Sequence, residues 1–250
     1  MRWVLVLVVC IISSLPTPSW ANDDLLKTEI KIGRNIASII VGIYGLYPSE
    51  KVNHYVSLVG NSVAYLNGRT DIRYYFSVLN SDEINALACP GGYIFITKGL
   101  LKQLENEAQL AAILAHEISH VNRRHVLRAL NIKPKDKSGS IFSRFLQSRH
   151  STVSVAFSQT VSKGVSILLQ SGLQHQDEYE ADQGAIFYCS QVGYDPFEYI
   201  KVLNKIQNKQ SGFSVTHPKM SNRVNKIQQS LQFYSPKNTK KLKGRYQKNV

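Results

Sequence analysis

Apolar positions along this chain switch spacing several times, and each spacing predicts a different element. Trp3 to Ile12 is an unbroken apolar run behind Met1-Arg2. From Asp24 to Tyr47, Leu25, Leu26, Ile30, Ile36, Ile39, Ile40 and Ile43 fall near helical spacing, and Pro48-Ser49-Glu50 reads as a stop followed by a new N-cap. A second amphipathic helix is predicted over Lys51 to Leu66, with Tyr55, Val56, Val59 and Val63 inward, ended by Asn67-Gly68. The pattern then becomes short and β-rich. Ile72 to Leu79, Ile84 to Cys89 and Tyr93 to Thr97 read as three strands of a small antiparallel sheet, the last two joined through Pro90-Gly91-Gly92.

Helical spacing returns after Thr97, which can cap a short helix around Leu100 to Leu104. Asn106 to Asn122 follows as a helix with Leu110, Ile113, Leu114 and Ile118 packing inward. Lys133 to Gly139 is a loop. Ile141 to Leu173 is rich in Ser and Gln, holds no acid, and is expected to include a long helix running into Gln174-His175-Gln176-Asp177-Glu178. Asp195 with Pro196 behind it is a good N-cap and first-turn pair for another helix. The fold class expected is α+β, mainly helical, with the small sheet beside the Asn106 helix. No repeat of solenoid length is visible.

Composition refines this picture. A chain of 250 residues, 43% hydrophobic and 19% charged, suits one globular domain. Residues 1–21 are different material: a basic start, an apolar run too short to span a bilayer comfortably, and Ser19-Trp20-Ala21 as a small-x-small cleavage signal. They are expected to be a cleaved secretory signal peptide rather than a retained anchor. Leu7-Val8-Val9 before Cys10 lacks the small residue that a lipid-anchored cysteine prefers. Beyond the leader, Cys89 and Cys189 remain, and their spacing leaves a disulfide and two buried thiols equally open. The formal charge of +13 is enriched near the end, where Lys237, Lys240, Lys241, Lys243, Arg245 and Lys248 meet no acid. Residues 236–250 are expected to be a solvated, disordered tail able to touch anionic lipid, behind a domain over 22–235. Nucleic acid is not expected as a partner of an exported chain without a recognition motif.

The chemistry lies in His116-Glu117-Ile118-Ser119-His120. Four residues apart on a helix, both imidazoles face one way and can hold one ion. Zinc favours imidazole nitrogen and, in catalytic sites, takes three protein ligands with one position left open. Glu117 places a carboxylate beside that position, where it can take a proton from water attacking a carbonyl. A third ligand is needed, and Asp177-Glu178-Tyr179-Glu180-Ala181-Asp182 offers both Glu178 and Glu180.

Here the chain resembles metallopeptidase family forty-eight, the CAAX prenyl protease and HtpX group, in which H-E-x-x-H is followed by E-x-x-A-D. His116, Glu117, His120, Glu178, Ala181 and Asp182 match. Gly33, the run from Asn85 to Phe95, Thr97-Lys98-Gly99-Leu100-Leu101, Asn106 to Ala111, Arg124-His125, Thr216-His217-Pro218 and Arg223 continue the likeness from about residue 29 to 227. The resemblance implies a gluzincin-type domain holding one Zn2+ per chain, with Glu178 as third ligand. Asp182, one turn later, could then orient a ligating histidine. It also implies a secreted relative of cell-envelope quality-control proteases of Gram-negative bacteria, acting in the periplasm on polypeptide substrates such as misassembled outer-membrane proteins. Cys89 departs from the plain apolar residue usual beside the Pro-Gly-Gly.

The remaining residues take lesser roles. His217 could approach the metal, either donating to a developing oxyanion or filling the open position at rest, with Arg223 fixing that segment or a nearby carboxylate. An exposed strand edge pairs with substrate main chain without asking for particular side chains. Asn85, Ala86, Gly91 and Gly92 on the hairpin are therefore candidate substrate-binding positions, against a purely structural hairpin. His125 is expected to be a hydrogen-bonded packing residue, His175 a cleft-edge residue, and His54 and His150 surface residues. The stretch from Ile141 to Leu173, lying between the ligands, is expected to act as a lid. The rival reading is a chaperone-like protein that keeps the zinc fold and rarely cleaves; such a protein could lose Glu117, which is present.

Overall fold

The stop at Pro48 separates two helices, α1 (Ser19–Tyr44) and α2 (Glu50–Asn67). Ser49 caps the second, its hydroxyl accepting from the Val52 amide at 3.3 Å. The structure, a computed structural model, describes residues 19–132, 151–206, 213, 216–217, 220–234 and 239–250. The apolar leader run, the loop from Lys133 to Gly139, the first part of the Ser/Gln-rich stretch with His150, and Lys237 lie outside the described residues.

Three strands follow: β1 (Tyr75–Leu79), β2 (Ala86–Cys89) and β3 (Tyr93–Thr97). Their order is β1-β3-β2. β2 and β3 form the expected antiparallel hairpin, with Ala86 opposite Ile96 and Ala88 opposite Ile94. β1, however, pairs parallel with β3, Phe76 opposite Ile94 and Val78 opposite Ile96. The all-antiparallel sheet is thus corrected to a mixed one. The cause is insertion: β1 and β2 run antiparallel to each other, but β3 enters between them, so its bond to β1 must be parallel.

Alternation assigns the two faces of the sheet. Phe76, Val78, Ala86, Ala88, Ile94 and Ile96 point into the larger core with α2 and the catalytic-motif helix. Leu79, Leu87, Cys89 and Phe95 pack with Ile32, Ile36 and Ile40 of α1. At the hairpin tip Gly33 of α1 lies so close that a Cβ there would stand 1.7 Å from the Pro90 carbonyl oxygen. Gly91 and Gly92 turn the chain with positive φ of 72° and 93°.

Thr97 caps the short α3 (Lys98–Leu101), its hydroxyl accepting from Leu100 N at 3.1 Å. Asn106 caps α4 (Glu107–Asn122), accepting from Gln109 N at 3.0 Å. Every residue of α4 from Glu107 to Val121 is buried, which makes it the central helix of the domain. α5 (His125–Ala129) follows, then α6 (Ser151–Ser166) and a π-helical turn (Ile167–Ser171). The expected continuous helix into Glu178 is broken at Gly172, φ 70°. A new one, α7 (His175–Gln191), starts with a capping box between Gln174 and Asp177. α8 (Phe197–Ile206) begins where Asp195 accepts from Phe197 N at 3.0 Å, and α9 (Met220–Leu231) and α10 (Lys243–Asn249) complete the order.

The described part of the basic C-terminal segment, residues 239–250, is not a solvated end. Lys240 pairs with Tyr194 in a bridge, Lys241 reaches Glu198 at 3.0 Å, and Tyr246, buried, donates to Leu101 O at 2.6 Å. Arg245 pairs with Glu107 at the start of α4, a buried carboxylate that also accepts from Tyr55 (2.6 Å) and Tyr194 (2.5 Å). The acids it needs are distant in sequence, which is why the segment reads as unpaired. Cys89 and Cys189 are both buried free thiols in separate clusters. Among the described residues no helix is long and apolar enough to cross a membrane.

Candidate metal centre

The spacing on α4 does what helix geometry requires: Nε2 of His116 and Nε2 of His120 face each other at 2.9 Å. Glu178 enters from the first turn of α7. Its Oε2 lies 3.6 Å from His116 Nε2 and its Oε1 3.6 Å from His120 Nε2. Tetrahedral ligands about 2.1 Å from an ion sit roughly 3.4 Å apart, so the three atoms bracket the spacing a zinc site needs. His217 brings a fourth donor, its Nδ1 2.9 Å from Glu178 Oε2 and 3.4 Å from His116 Nε2. All four ligating atoms lie within 4.8 Å of one another, and all four residues are buried.

The outward nitrogens are held as well. His116 Nδ1 is 3.2 Å from Asp182 Oδ1 and 2.9 Å from the Tyr199 hydroxyl, which itself donates to Asp182 at 2.6 Å. Arg223, fully buried, grips Asp182 through Nε (2.8 Å) and Nη2 (2.6 Å) and reaches Glu178 with Nη1 at 2.9 Å. Nη1 also donates to the His217 carbonyl at 3.2 Å. One side chain thus touches both the His217 segment and two carboxylates, and Asp182 lies against the outward nitrogen of His116. Tyr199 was not legible: nothing local separates it from the other members of a set of 13 tyrosines.

Charge follows from burial and these partners. Burial pushes the Glu178 carboxyl up, yet neighbouring His217 and Arg223 hold it well below the usual carboxylate range. Asp182 is likewise lowered, Arg223 outweighing desolvation. Burial alone would lower His116, but Asp182 and Glu178 lift it to about 9. Desolvation and the neighbouring imidazoles keep His120 well below its ordinary value. Glu117 is raised by burial. Among the described residues both of its oxygens, and Glu178 Oε1, are buried with no hydrogen-bond partner, the nearest cationic group to Glu117 Oε1 being His217 Nε2 at 3.8 Å. Buried carboxylate oxygens without donors fit a site that takes a cation and a water, and the nitrogen–oxygen donor set suits zinc.

Of the remaining predicted positions, Ala86 lines the cleft beside Glu117, His120 and His217. Asn85 is buried and shapes that edge, its Oδ1 accepting from Ala86 N (2.9 Å) and Thr216 Oγ1 (3.1 Å). Gly91 and Gly92 stand at the hairpin tip, where a Cβ would meet Ile30 and the Arg73 carbonyl respectively. β2 is an edge strand, yet all four of its residues are buried because the π-helical turn packs on it. Ile167, Leu168 and Leu173 from that segment line the cleft. His54 is exposed. His175 is partly buried and stands apart from the ligating cluster. His125 is wholly buried with its Nδ1 2.7 Å from His120 Nδ1.

A buried H-E-x-x-H helix closed by a carboxylate from a second helix, beside a small sheet, defines a gluzincin-type metallopeptidase domain. The chain belongs to peptidase family M48, whose family model matches residues 50–231. It is 27% identical over 206 residues to the beta-barrel assembly-enhancing protease of Escherichia coli K12, covering 78% of this chain and 42% of that protein. The Yersinia pestis protein of the same name is 29% identical over 189 residues, 69% of this chain and 37% of its own length. The mitochondrial metalloendopeptidase OMA1 of Schizosaccharomyces pombe is 27% identical over 228 residues, 84% of this chain and 63% of its own. The chain thus spans less than half the length of the bacterial relatives it matches.

Proposed function

We propose that this chain is a zinc-dependent endopeptidase that cleaves unfolded or misassembled polypeptides of the cell envelope, outer-membrane proteins among them. The observation that carries it is Glu117: a buried carboxylate whose oxygens make no hydrogen bond among the described residues, beside three converging ligands. His116, His120 and Glu178 would hold the ion. When bound, zinc supplies Lewis acidity toward the scissile carbonyl and the attacking water. Glu117 takes that water's proton and delivers it to the leaving amine, a task its raised pKa suits. The β2 edge offers main-chain pairing to an extended substrate, and the segment ending in Leu173 covers that edge as a lid. His217 fits the resting occupant of the fourth position better than a pure oxyanion donor, since its Nδ1 lies among the ligand atoms.

The envelope setting and periplasmic location rest on the signal-like leader and on the names of the bacterial relatives. A peripheral membrane contact through the C-terminal segment is less favoured, because Lys241 and Arg245 are committed to Glu198 and Glu107. The test is casein digestion with and without chelator, beside Glu117→Gln with its zinc content measured. Activity restored by zinc, and lost by at least about 100-fold in Glu117→Gln with one zinc per chain kept, is expected. Chelator-resistant digestion, or an active Glu117→Gln, overturns the reading in favour of binding without cleavage or another mechanism.

A further inference from the structure

Helix α4 gives way to α5 through Arg124, which takes left-handed backbone angles (φ 54°, ψ 40°). A side chain on that conformation is strained and persists only where its surroundings hold it. Here Glu29 of α1 accepts from Arg124 Nε at 2.9 Å. The reversal aims His125 back at the ligand pair. Its ring stands edge-on to that of His120, centroids 4.9 Å apart at 78°, with the two Nδ1 atoms 2.7 Å apart. The other nitrogen, Nε2, lies 3.2 Å from Glu180 Oε2. Glu180 is on α7, two residues beyond Glu178, and is steadied by Arg128 and Gln176, each at 3.2 Å.

Tautomers follow from these contacts. His120 can present an Nε2 lone pair to a cation only with its proton on Nδ1. That proton then needs an acceptor, and the atom facing it is His125 Nδ1. For His125 Nδ1 to accept, its own proton must sit on Nε2, where the Glu180 carboxylate receives it. The opposite assignment would leave His120 Nε2 protonated and useless as a ligand. His116 has a carboxylate directly on its outward nitrogen, whereas His120 reaches one only through a second imidazole. We propose that His125 and Glu180 are positioning residues of the metal centre, a carboxylate–imidazole relay that fixes the ring and tautomer of His120 from outside the ligand set. This role rests on the metal-binding reading above and extends it to residues on a different helix and at the surface.

The experiment is titration of zinc against a competing chelator for the purified chain and for His125→Leu, His125→Asn and Glu180→Ala. Loss of the partner of a ligating histidine weakens metal binding about 10- to 100-fold, which is the loss expected for His125→Leu. His125→Asn should recover most of it, because its amide oxygen stands near the lost Nδ1 and can accept from His120. Glu180→Ala, at a partly exposed position, should fold and bind zinc several-fold more weakly. Unchanged affinity in His125→Leu or Glu180→Ala overturns the relay, as does an Asn variant no better than Leu. Should His125→Leu fail to fold, the other two variants decide. If the parent chain itself binds no zinc, the metal reading falls and the relay with it.

Discussion

Arg223 Nη2 lies 2.6 Å from Asp182 Oδ1 while its Nη1 lies 2.9 Å from Glu178 Oε2, so one guanidinium from α9 neutralises two buried carboxylates of α7. Removing one partner of such a buried group typically costs about 3–5 kcal/mol, because the charges left behind have no solvent. Arg223→Leu should therefore shift the urea midpoint far down, and Arg223→Lys should restore only part of it, lacking the fork geometry. An Arg223→Leu variant with an unchanged midpoint would mean that the two acids are neutral in the folded chain.

Gly33 and Gly42 lie on the same helix and should respond to alanine with opposite signs. A Cβ at Gly33 meets the Pro90 carbonyl oxygen at 1.7 Å, whereas one at Gly42 meets nothing within 4 Å among the described residues. Gly33→Ala should cost about 1–3 kcal/mol or more through overpacking. Gly42→Ala should add up to about 1 kcal/mol by reducing the freedom of the unfolded chain. Thermal unfolding of both variants decides the matter.

Leu168 tests the lid. It is 6% exposed and lines the cleft with Glu117 and His217. Leu→Ala at a packed position costs about 2–5 kcal/mol. If about 1.4 kcal/mol of that is taken from the closed state alone, the open fraction rises tenfold. Leu168→Ala should accordingly speed cleavage of a short unstructured peptide; a rate equal to or below that of the parent would count against gating.

His217→Ala separates the two roles considered for that residue. A resting occupant of the fourth position, once removed, leaves peptide turnover intact or higher and weakens zinc retention. A required oxyanion donor, once removed, lowers kcat by about 100- to 1,000-fold. The position of Nδ1 among the ligands predicts the former, and steady-state kinetics with a chelator titration distinguishes them.

Glu198 makes the fold acid-sensitive. Burial raises its carboxyl, but Lys201 (2.7 Å), Asn106 (2.8 Å), Lys241 (3.0 Å) and Gln109 (2.9 Å) together lower it to about 2. A depressed folded value contributes stability that is complete above the unfolded value near 4.5 and fades as pH falls toward 2. Glu198→Gln should flatten the stability profile across that interval and leave its shape near neutrality unchanged, as measured by urea unfolding at stepped pH.

Local rules make much of this molecule legible in its sequence. The Ser49 and Thr97 caps are legible because a cap bonds to an amide two or three residues away, inside the window that sequence displays. His116 and His120 were legible for the same reason. Glu178 needed the family resemblance, since spacing did not separate it from Glu180, and the fold gives those two carboxylates different jobs. What was hidden is long-range. Insertion of β3 between β1 and β2 leaves no trace in alternation, and the C-terminal cations look solitary until Glu107 and Glu198 arrive from elsewhere. Tyr199 joins His116 across 83 residues, a distance no local pattern spans.

The Glu107–Arg245 pair carries a consequence for how the enzyme comes into being. Arg245 follows Glu107 by 138 residues, and until it arrives the first turn of α4 holds a carboxylate facing only two phenols. A nascent chain emerging from the ribosome therefore exposes its hydrolytic helix long before it can secure it. The first turn of the helix that carries both imidazole ligands is therefore secured by a cation made 138 residues after it.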